Sequence, residues 1–505
     1  MALMNGDEYK ESIKKVKSIL YVQGKQVHDY WDHPAIIPTI ETVAAAYDLS
    51  FSEHRECTTA ISHLTDEPIS RFINIAQNAE DLLKRQQQIK LASFCTGECI
   101  YQCTGTDALN ATASSTYDVD QATGTNYHDR FNTWLTYIHQ NDLSVSGSIT
   151  DVKGDRSKRP NKQSNPDLYT RIVERKKNGI VIRGAKAHQS GTIGCHEHLV
   201  VPTTAMRQGE EDYAVVCAVP SDEKGVIHVH QFNAGDAMRL AGQGMDHGNV
   251  RFGAYSTQMI IFDHVFVPWE RVFLCGEIEH SNNLCERFGR IHRCVSSACT
   301  SGWIDNFIGI AQALADYNGL GKVKHIRDKI TEMNFMGARS YACGVAAANM
   351  GYKSASGVYL PNRLFSNVAK LDGALSISEC RRMAIDVAGG LVATAPGERD
   401  FANPEIGGYL KEFFQGVDDV STEDRVRMFK LAHHFFTSGG LVEAKICGSG
   451  TSQTQLMNIY WLANLEVKKK AARVLCGIED QSEYDSVVTE YGNKMNSNPE
   501  RGDDS

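Results

Sequence analysis

The segment TQMIIFDHVFVP (residues 257–268) decides the fold class, because it is rich in β-branched and aromatic residues and ends at a proline, as β-strands often do. Similar runs precede it, with Gly, Pro, Asn and Asp turn residues between them. They are GIVIRGAKA (179–187), HEHLVVPTT (196–204), DYAVVCAV (212–219) and GVIHVHQF (225–232). This pattern predicts an antiparallel barrel or sandwich.

Helical periodicity flanks these strands on both sides. Apolar residues recur with a helical period in residues 9–27 and 69–94, and again in 286–319 and 421–440. We therefore expect an α+β protein with three parts: an N-terminal helical domain (1–140), a β domain (141–277) and a C-terminal helical bundle (278–505). This order is typical of the acyl-CoA dehydrogenase type of fold, in which a flavin lies between the β domain and the bundle.

Composition excludes several classes of protein. The chain has 505 residues, 42% of them hydrophobic, and a formal net charge of −9, with no basic stripe that would bind nucleic acid. The start of the sequence is polar, and no stretch has the roughly 20 apolar residues that span a bilayer. We therefore expect a cytoplasmic enzyme that binds neither nucleic acid nor membrane.

Two pairs of potential metal ligands stand out among the 14 cysteines. Cys99 and Cys103 are four residues apart in a stretch that we interpret as helix, and His292 and Cys299 are seven apart in another. Two helices with two ligands each can enclose an iron–sulfur cluster. The same Cys3His set also suits structural zinc, which the spacing does not exclude.

Eight segments resemble the 4-hydroxybutyryl-CoA dehydratase family in both order and spacing. They are GECIYQCTGTDALNA (97–111), GTNYHDRF (124–131), TDVKGDR (150–156), GAKAHQSG (184–191), FDHVFVPWERVFLCGE (262–277), ERFGRIHR (286–293), DVAGGLVATAP (386–396) and STEDRVR (421–427). That family lies within a wider group of flavoproteins similar to 4-hydroxyphenylacetate 3-hydroxylase. The resemblance implies FAD and a [4Fe-4S] cluster ligated by Cys99, Cys103, His292 and Cys299.

The resemblance also implies which residues hold FAD. They are Thr150, Asp151, Lys153, Gly154, Asp155 and Arg156 in one turn, His188, Gln189, Ser190 and Gly191 after a β run, and Asp386, Gly389 and Gly390 approaching from a neighbouring subunit. A shared flavin site implies a homotetramer built as a dimer of dimers. No GxGxxG or Walker motif competes as a nucleotide site.

The implied reaction is a radical dehydration of a hydroxyacyl thioester, in which flavin takes up and returns one electron. The thioester carrier that the family uses is CoA. His292 would accept the β proton, with Ser296 and Glu443 as further catalytic candidates. The chain nevertheless departs from the family: Ser296 replaces a tyrosine, Thr300 a lysine and Thr257 a glutamate. Ala444 replaces a second glutamate, although the adjacent Glu443 could be its shifted equivalent. We therefore expect a substrate other than 4-hydroxybutyryl-CoA.

Two other functions are open at this point. A flavin-dependent aromatic monooxygenase would need no cluster, and a redox sensor or structural protein would use the four ligands for zinc. Iron, sulfide and flavin analysis after anaerobic purification separates the three functions.

Overall fold

The computed structural model describes residues 3–242, 244–253, 255–438 and 440–495. It confirms the expected mixture of helices and sheets. Among the described residues, none of the helices combines the length and the apolar character that a membrane span requires.

The N-terminal part contains both helices and short strands. In chain order these are α1 (Gly6–Ile13), β1 (Ile19–Val22), β2 (Lys25–Val27), α2 (Ile37–Asp48), α3 (Arg55–Thr58), β3 (Thr59–Ile61), β4 (Pro68–Ser70), α4 (Ala79–Thr96), α5 (Cys103–Thr123) and α6 (Tyr127–Asn141). The helices α4 and α5 flank the loop that carries Cys99.

The middle part is made of two sheets. Its elements are β5 (Val145–Ser148), β6 (Arg171–Lys176), β7 (Gly179–Ser190), β8 (Glu197–Val200), β9 (Val215–Pro220), β10 (Val226–His230), α7 (Ala234–Ala241), β11 (Thr257–Pro268) and β12 (Val272–Cys275). One sheet has the order β2-β1-β10-β11-β7-β6 and the other β12-β9-β8-β5. Buried side chains such as Ile180, Cys217 and Phe262 fill the space between them.

Two details of the sheets differ from the sequence-based expectation. The sheets are not wholly antiparallel, because β1 pairs with β10 and β5 with β8 in parallel. The strands β1 and β2 also come from the part that we expected to be helical. Pairing partners so distant in the chain leave no local mark in the sequence, since parallel pairs need long crossover connections rather than tight turns.

The C-terminal part is a helical bundle. It contains α8 (Ile278–Tyr317), α9 (Lys324–Asn349), β13 (Tyr352–Lys353), β14 (Tyr359–Leu360), α10 (Arg363–Ala388), α11 (Leu391–Thr394), α12 (Glu398–Phe401), α13 (Gly407–Phe413), α14 (Thr422–His433), a π-helical turn (His434–Ser438), α15 (Leu441–Cys447), α16 (Ser452–Trp461), α17 (Leu465–Leu475) and α18 (Tyr484–Met495). The helix α8 ends at Tyr317, with Asn318 as its C-cap and Gly319 following at φ 71°.

The long helix α8 joins the bundle to the N-terminal part. Val295 and Ala298 of α8 are buried in one apolar cluster with Ile89 and Ala92 of α4. At Gly302 the two helices approach so closely that a Cβ would lie 2.7 Å from the carbonyl oxygen of Lys90. This close packing brings the ligand candidates on α8 next to the loop between α4 and α5.

Candidate metal and flavin site

The loop that carries Cys99 differs from the helix that we expected. The helix α4 ends at Thr96 because Gly97 adopts the left-handed conformation at φ 67° and caps it. Cys99 therefore lies in a loop, and only Cys103 is helical, as the first residue of α5. Tyr101 between them also has a positive φ of 61°, which reverses the chain and returns Cys99 toward Cys103.

Cys99, Cys103 and His292 lie close together. A hydrogen bond with Cys99, reinforced by burial, raises the pKa of Cys103 well above its usual value, and the nearby imidazole of His292 acts in the opposite direction. The loop and α8 therefore bring their ligand candidates to one place.

Lys445 on α15 extends its ammonium group among the thiols. Its Nζ donates a hydrogen bond to Sγ of Cys299. Burial alone would lower the pKa of Lys445, but the charges of Cys299, Cys99 and Cys103 outweigh burial and raise it. Since one ammonium binds Cys299 and is also influenced by the charges of Cys99 and Cys103, the three cysteines lie in one region.

The face of α8 between His292 and Cys299 is lined by small polar residues. Ser296 lies one helical turn after His292 and is 4% exposed. Its carbonyl oxygen accepts hydrogen bonds from the hydroxyl of Thr300 at 2.8 Å and from the thiol of Cys299 at 3.3 Å. The side chains at 296 and 300, which differ from the dehydratase family, therefore lie on and beside the ligand-bearing face.

Within the described residues, no group of three or more His, Cys, Asp or Glu side chains is gathered tightly enough to hold a single metal ion. Zinc needs its ligands within about 2.0–2.3 Å of one point. In an iron–sulfur cluster each ligand binds a different iron, so wider spacing suits it. Three sulfurs, one imidazole and a compensating ammonium thus fit a cluster in the chemistry of the donor set.

The first candidate flavin segment is tied to β7 by a buried ion pair. Nζ of Lys186 lies 2.9 Å from Oδ1 of Asp151, and both side chains are almost fully buried. The same ammonium donates to the carbonyl oxygens of Ile149 at 2.9 Å and Val201 at 2.8 Å. The amide of Ala187 donates to the carbonyl oxygen of Thr150 at 2.7 Å. The segment 149–151 is therefore fixed beside residues 186–189.

The turn that follows presents two cations. Lys153 and Gly154 have φ values of 75° and 54°, so the backbone reverses there. Burial lowers the pKa of Lys153, and the adjacent guanidinium of Arg156 lowers it further. Asp155 turns back to accept a hydrogen bond from the hydroxyl of Ser157 at 2.7 Å. Lys153 and Arg156 are thus left to attract an anion such as a phosphate group.

The second candidate flavin segment, residues 188–191, directly contacts the loop between α4 and α5 that carries Cys99, which we call the cysteine loop. Gly191 has a φ of 60°, and a Cβ there would lie 2.2 Å from the ring of Tyr101. The hydroxyl groups of Ser190 and Tyr255 are hydrogen-bonded. Tyr255 stacks on Tyr101 with ring centroids 6.4 Å apart, and Cys99 packs in the same cluster. The ends of β7 and of the cysteine loop are therefore neighbours.

His188 and Gln189 of this second candidate flavin segment differ in exposure and in the way that they are held. His188 is exposed and has a positive φ of 58°. Gln189 is buried, and its Oε1 accepts a hydrogen bond from the amide of Ile149 at 3.1 Å. Thr257, which replaces the family's glutamate, pairs with Ser190 across the β11–β7 ladder. The segment is thus held on one side by Ile149 and bordered on the other by Thr257.

The third candidate flavin segment, at residues 386–390, lies at the end of α10 and is separate from the other two. Gly389 caps α10 at φ 78°, and neither it nor Gly390 would bring a Cβ within 4 Å of another atom of the described residues. Asp386 is exposed and forms an ion pair with Lys329. These residues thus form an exposed helix end in the bundle rather than part of the β sheets.

Glu443 does not face the cysteines in this structure. Its side chain is 64% exposed and pairs with Arg381 at 2.8 Å. Lys445, two residues later on α15, points instead at the sulfurs. Residues 443 and 445 face different sides because successive positions on a helix are about 100° apart.

Among the described residues, several that contact the ligand candidates were not predicted from the sequence. Asp107 accepts a hydrogen bond from His292, Arg85 binds Asp107, and Lys445 binds Cys299. Asp107 could have been found, since it lies one helical turn after Cys103. Arg85 and Lys445 leave no such signal, because they come from distant parts of the chain.

Sequence profiles of known families match almost the whole chain. The N-terminal part of 4-hydroxyphenylacetate 3-hydroxylase matches residues 5–274, and its C-terminal part matches residues 281–477. The chain therefore belongs to the 4-hydroxyphenylacetate 3-hydroxylase family, which includes 4-hydroxybutyryl-CoA dehydratase.

Particular relatives fall into two groups. The 4-hydroxybutyryl-CoA dehydratase/vinylacetyl-CoA-Delta-isomerase of Clostridium aminobutyricum is 38% identical over 94% of this chain and 100% of its own length. The oxygenase component of 4-hydroxyphenylacetate 3-monooxygenase from Thermus thermophilus is 27% identical over 86% of this chain and 88% of its own.

Solved structures show the same two groups. An oxygen-tolerant archaeal 4-hydroxybutyryl-CoA dehydratase from N. maritimus superposes with a TM-score of 0.93, at 38% identity over 95% of this chain and 96% of its own. An oxygenase component of 4-hydroxyphenylacetate 3-monooxygenase complexed with FAD and 4-hydroxyphenylacetate has a TM-score of 0.81, at 25% identity over 94% of this chain and 98% of its own.

Proposed function

We propose that this protein is a dehydratase or isomerase of a hydroxyacyl-CoA type of substrate, and that it uses FAD and a [4Fe-4S] cluster. The observation that supports this best is the convergence of Cys99, Cys103, Cys299 and His292 beside residues 188–191. The similarity to 4-hydroxybutyryl-CoA dehydratase over nearly the full length of both chains points to the same class of reaction.

In this proposal the three cysteines and His292 hold the cluster, and the segments 150–156 and 188–191 hold FAD between the β domain and the bundle. When bound, the flavin supplies reversible one-electron transfer and the cluster supplies a Lewis-acidic iron. Lys153 and Arg156 are positioned to bind an anionic part of the flavin. Ser296, on the face of α8 beside His292, would position the substrate by a hydrogen bond.

His292 would act as the proton acceptor. Its Nδ1 is engaged with Asp107, so Nε2 is the nitrogen that can face a ligand or a proton. Hydrogen at the β carbon of a thioester is weakly acidic, so its removal needs a base held close to the reacting carbon. An imidazole on α8, fixed by its neighbours, meets this need.

We further propose that the protein is a homotetramer with flavin sites shared between subunits. The exposed helix end at Gly389 and Gly390 suits close approach of a ligand from a neighbouring chain. Large apolar side chains are also exposed on α13 and on the C-terminal helices, among them Phe413 (74%), Trp461 (75%) and Leu475 (81%). Exposed apolar groups of this size mark protein–protein interfaces. Native mass spectrometry of the purified protein tests the assembly.

Anaerobic purification followed by iron, sulfide and flavin analysis tests the cofactor proposal. We expect about four irons and four sulfides with one FAD per chain. A protein with flavin alone, which hydroxylates a phenol with externally reduced flavin, would instead be a monooxygenase like the 27% identical relative. A protein with zinc and no flavin would contradict both enzyme functions.

The reaction itself is tested on a panel of hydroxyacyl-CoA esters with the loaded enzyme. We expect formation of an enoyl-CoA from at least one of them without added oxidant or reductant, since dehydration causes no net redox change. No turnover of any hydroxyacyl-CoA by a protein with its full cofactor content would contradict the proposed substrate class.

A further inference from the structure

Three side chains on three helices form a hydrogen-bonded chain that ends at His292. Nη2 of Arg85, on α4, donates to Oδ1 of Asp107, on α5, at 2.5 Å. Oδ2 of Asp107 lies 2.6 Å from Nδ1 of His292, on α8. Asp107 is fully buried and Arg85 is 4% exposed, so water does not compete for these bonds.

This geometry sets the tautomer of His292. An ionised carboxylate can only accept hydrogen bonds, so the proton of a neutral imidazole must lie on Nδ1. Nε2 then keeps its lone pair and is the nitrogen available to a metal. The guanidinium of Arg85 is always charged and lies against the same carboxylate, so it compensates the buried negative charge of Asp107.

The hydrogen-bonded chain of Arg85 and Asp107 also connects two ligand candidates, Cys103 and His292. Asp107 lies one helical turn after Cys103 on α5, and Arg85 donates a second bond from Nη2 to the carbonyl oxygen of Cys103 at 3.1 Å. Phe288 stacks against the ring of His292, with centroids 5.7 Å apart and planes 21° apart. The ring is therefore held on one face by Phe288 and at its edge by Asp107.

We propose that Asp107, held by Arg85, is the positioning residue that directs Nε2 of His292 toward the cluster. This inference rests on the cofactors of the proposed function and assigns a role to two residues outside the ligand set. A carboxylate hydrogen-bonded to a ligating histidine also makes the imidazole a stronger ligand. Asp107 thus strengthens the one bond to iron that is not made by a thiolate.

The test compares the anaerobically purified holoenzyme with Asp107→Asn. The asparagine keeps the shape of the side chain but removes its charge and can turn an N–H toward Nδ1. We expect iron to be lost to a chelator 10- to 100-fold faster, as is typical when such an outer partner is removed. The reduction potential of the cluster should rise, because a negative charge near it is lost. Flavin content should stay that of the wild type and reports that the fold is intact.

Asp118→Asn is the matched control. Asp118 lies on the same helix and pairs with Arg287 at 2.5 Å. Its loss removes one carboxylate from α5 without touching His292, so chelation rate and potential should match the wild type. Arg85→Gln is the second variant in case Asp107→Asn does not fold. It leaves the carboxylate in place without its partner, so iron should be lost faster than from the wild type but by a smaller factor than in Asp107→Asn, while loss of the positive guanidinium should lower the potential of the cluster.

The outcomes separate this inference from the proposed function. Wild-type protein without iron would overturn both. Wild-type protein with a full cluster, together with Asp107→Asn and Arg85→Gln variants of unchanged chelation rate and potential, would overturn the positioning role alone. Equal effects of Asp107→Asn and Asp118→Asn would also overturn it, since a general loss of helix stability would then explain the result.

Discussion

The ring of Tyr101 packs directly on the backbone of Gly191, where a Cβ would lie only 2.2 Å from the ring. The hydroxyl of the same tyrosine accepts a hydrogen bond from the amide of Ser256 at 3.1 Å. Tyr101 comes between two of the cysteines, and Gly191 ends the second candidate flavin segment. This contact therefore joins the loop that carries Cys99 to the second candidate flavin segment.

Substitution Gly191→Ala should separate the two segments. A methyl group cannot occupy a position 2.2 Å from an aromatic carbon, so Tyr101 must move. Overpacking of this kind costs about 1–3 kcal/mol, and the left-handed backbone adds about 1 kcal/mol for any residue other than glycine. We expect a lower free energy of unfolding in urea and a reduced content of both flavin and iron.

Gly124→Ala is the control for backbone strain. Gly124 also has a left-handed φ, of 71°, but a Cβ there would meet nothing within 4 Å in the part of the chain that the structure describes. It should therefore show only the loss of about 1 kcal/mol and keep both cofactors. If the two variants lose equal stability and Gly191→Ala keeps its full flavin and iron, the contact with Tyr101 does not position the two segments.

Substitution Cys99→Ser should abolish cluster retention. Serine is a much poorer ligand for iron than thiolate, and Cys99 lies in a loop that can adjust to the change. We expect the broad visible absorption of the cluster and most of the iron to disappear, while the protein stays soluble. Cys95→Ser is the matched control, because Cys95 is exposed and lies only four residues before Cys99, near the end of α4. An unchanged visible spectrum of Cys99→Ser would reject the ligand assignment.

Local patterns predicted the elements on which the candidate site is built. The helical period of residues 286–319 places His292 and Cys299 on one helix, and α8 has this form. The glycine in TGEC was the missed signal in the cysteine loop, since Gly97 ends α4 and leaves Cys99 outside any helix. A short C-x3-C spacing is compatible with a helix and with a loop, and only the capping glycine distinguishes them.

Long-range pairing could not be predicted in the same way. The strand β1 joins β10 across about two hundred residues, and Lys445 meets Cys299 across 146. Such contacts depend on how whole elements pack, which a local period does not encode. Asp107 is an intermediate case: its spacing from Cys103 was visible, but its partner Arg85 lies on another helix.

Stability should fall as the pH falls from about 6.5 to about 4. Burial lowers the pKa of His139 to about 4, and the backbone carbonyl of Ile73 opposes this only in part. An unfolded chain binds a proton at this histidine below its usual pKa of about 6.5, whereas the folded chain stays neutral until about 4. Proton binding by the unfolded chain at this histidine therefore favours the unfolded state by up to about 3 kcal/mol across this window, and the contribution of His139 is constant above it.

Substitution His139→Gln tests this pH dependence. The variant loses hydrogen bonds to Ser62 and Ile73 and should be about 1–3 kcal/mol less stable at pH 7. Its free energy of unfolding in urea should, however, change less between pH 7 and pH 5. A wild-type slope in His139→Gln would mean that this histidine does not contribute to acid destabilisation.

Activity toward 4-hydroxybutyryl-CoA should be low in the wild type and should rise when family residues are restored. Ser296 lies on the face of α8 between His292 and Cys299, and Thr257 pairs with Ser190 at the end of β7. Both thus border the space between the proposed cluster and flavin, where a tyrosine hydroxyl and a carboxylate would contact a bound thioester. We expect the double variant Ser296→Tyr and Thr257→Glu to gain at least about tenfold in kcat/KM, which corresponds to about 1.4 kcal/mol of transition-state stabilisation.

The control for this exchange is Thr331→Glu, since Thr331 is exposed on α9, and it should change nothing. The cofactor content of each variant must match the wild type, so that a gain reflects the substrate cavity rather than loading. Robust turnover of 4-hydroxybutyryl-CoA by the wild type would show that residues 257 and 296 do not select the substrate. In that case the threonine and serine hydroxyls would have to bind the thioester as effectively as the larger groups, and the proposal of a different substrate would be wrong.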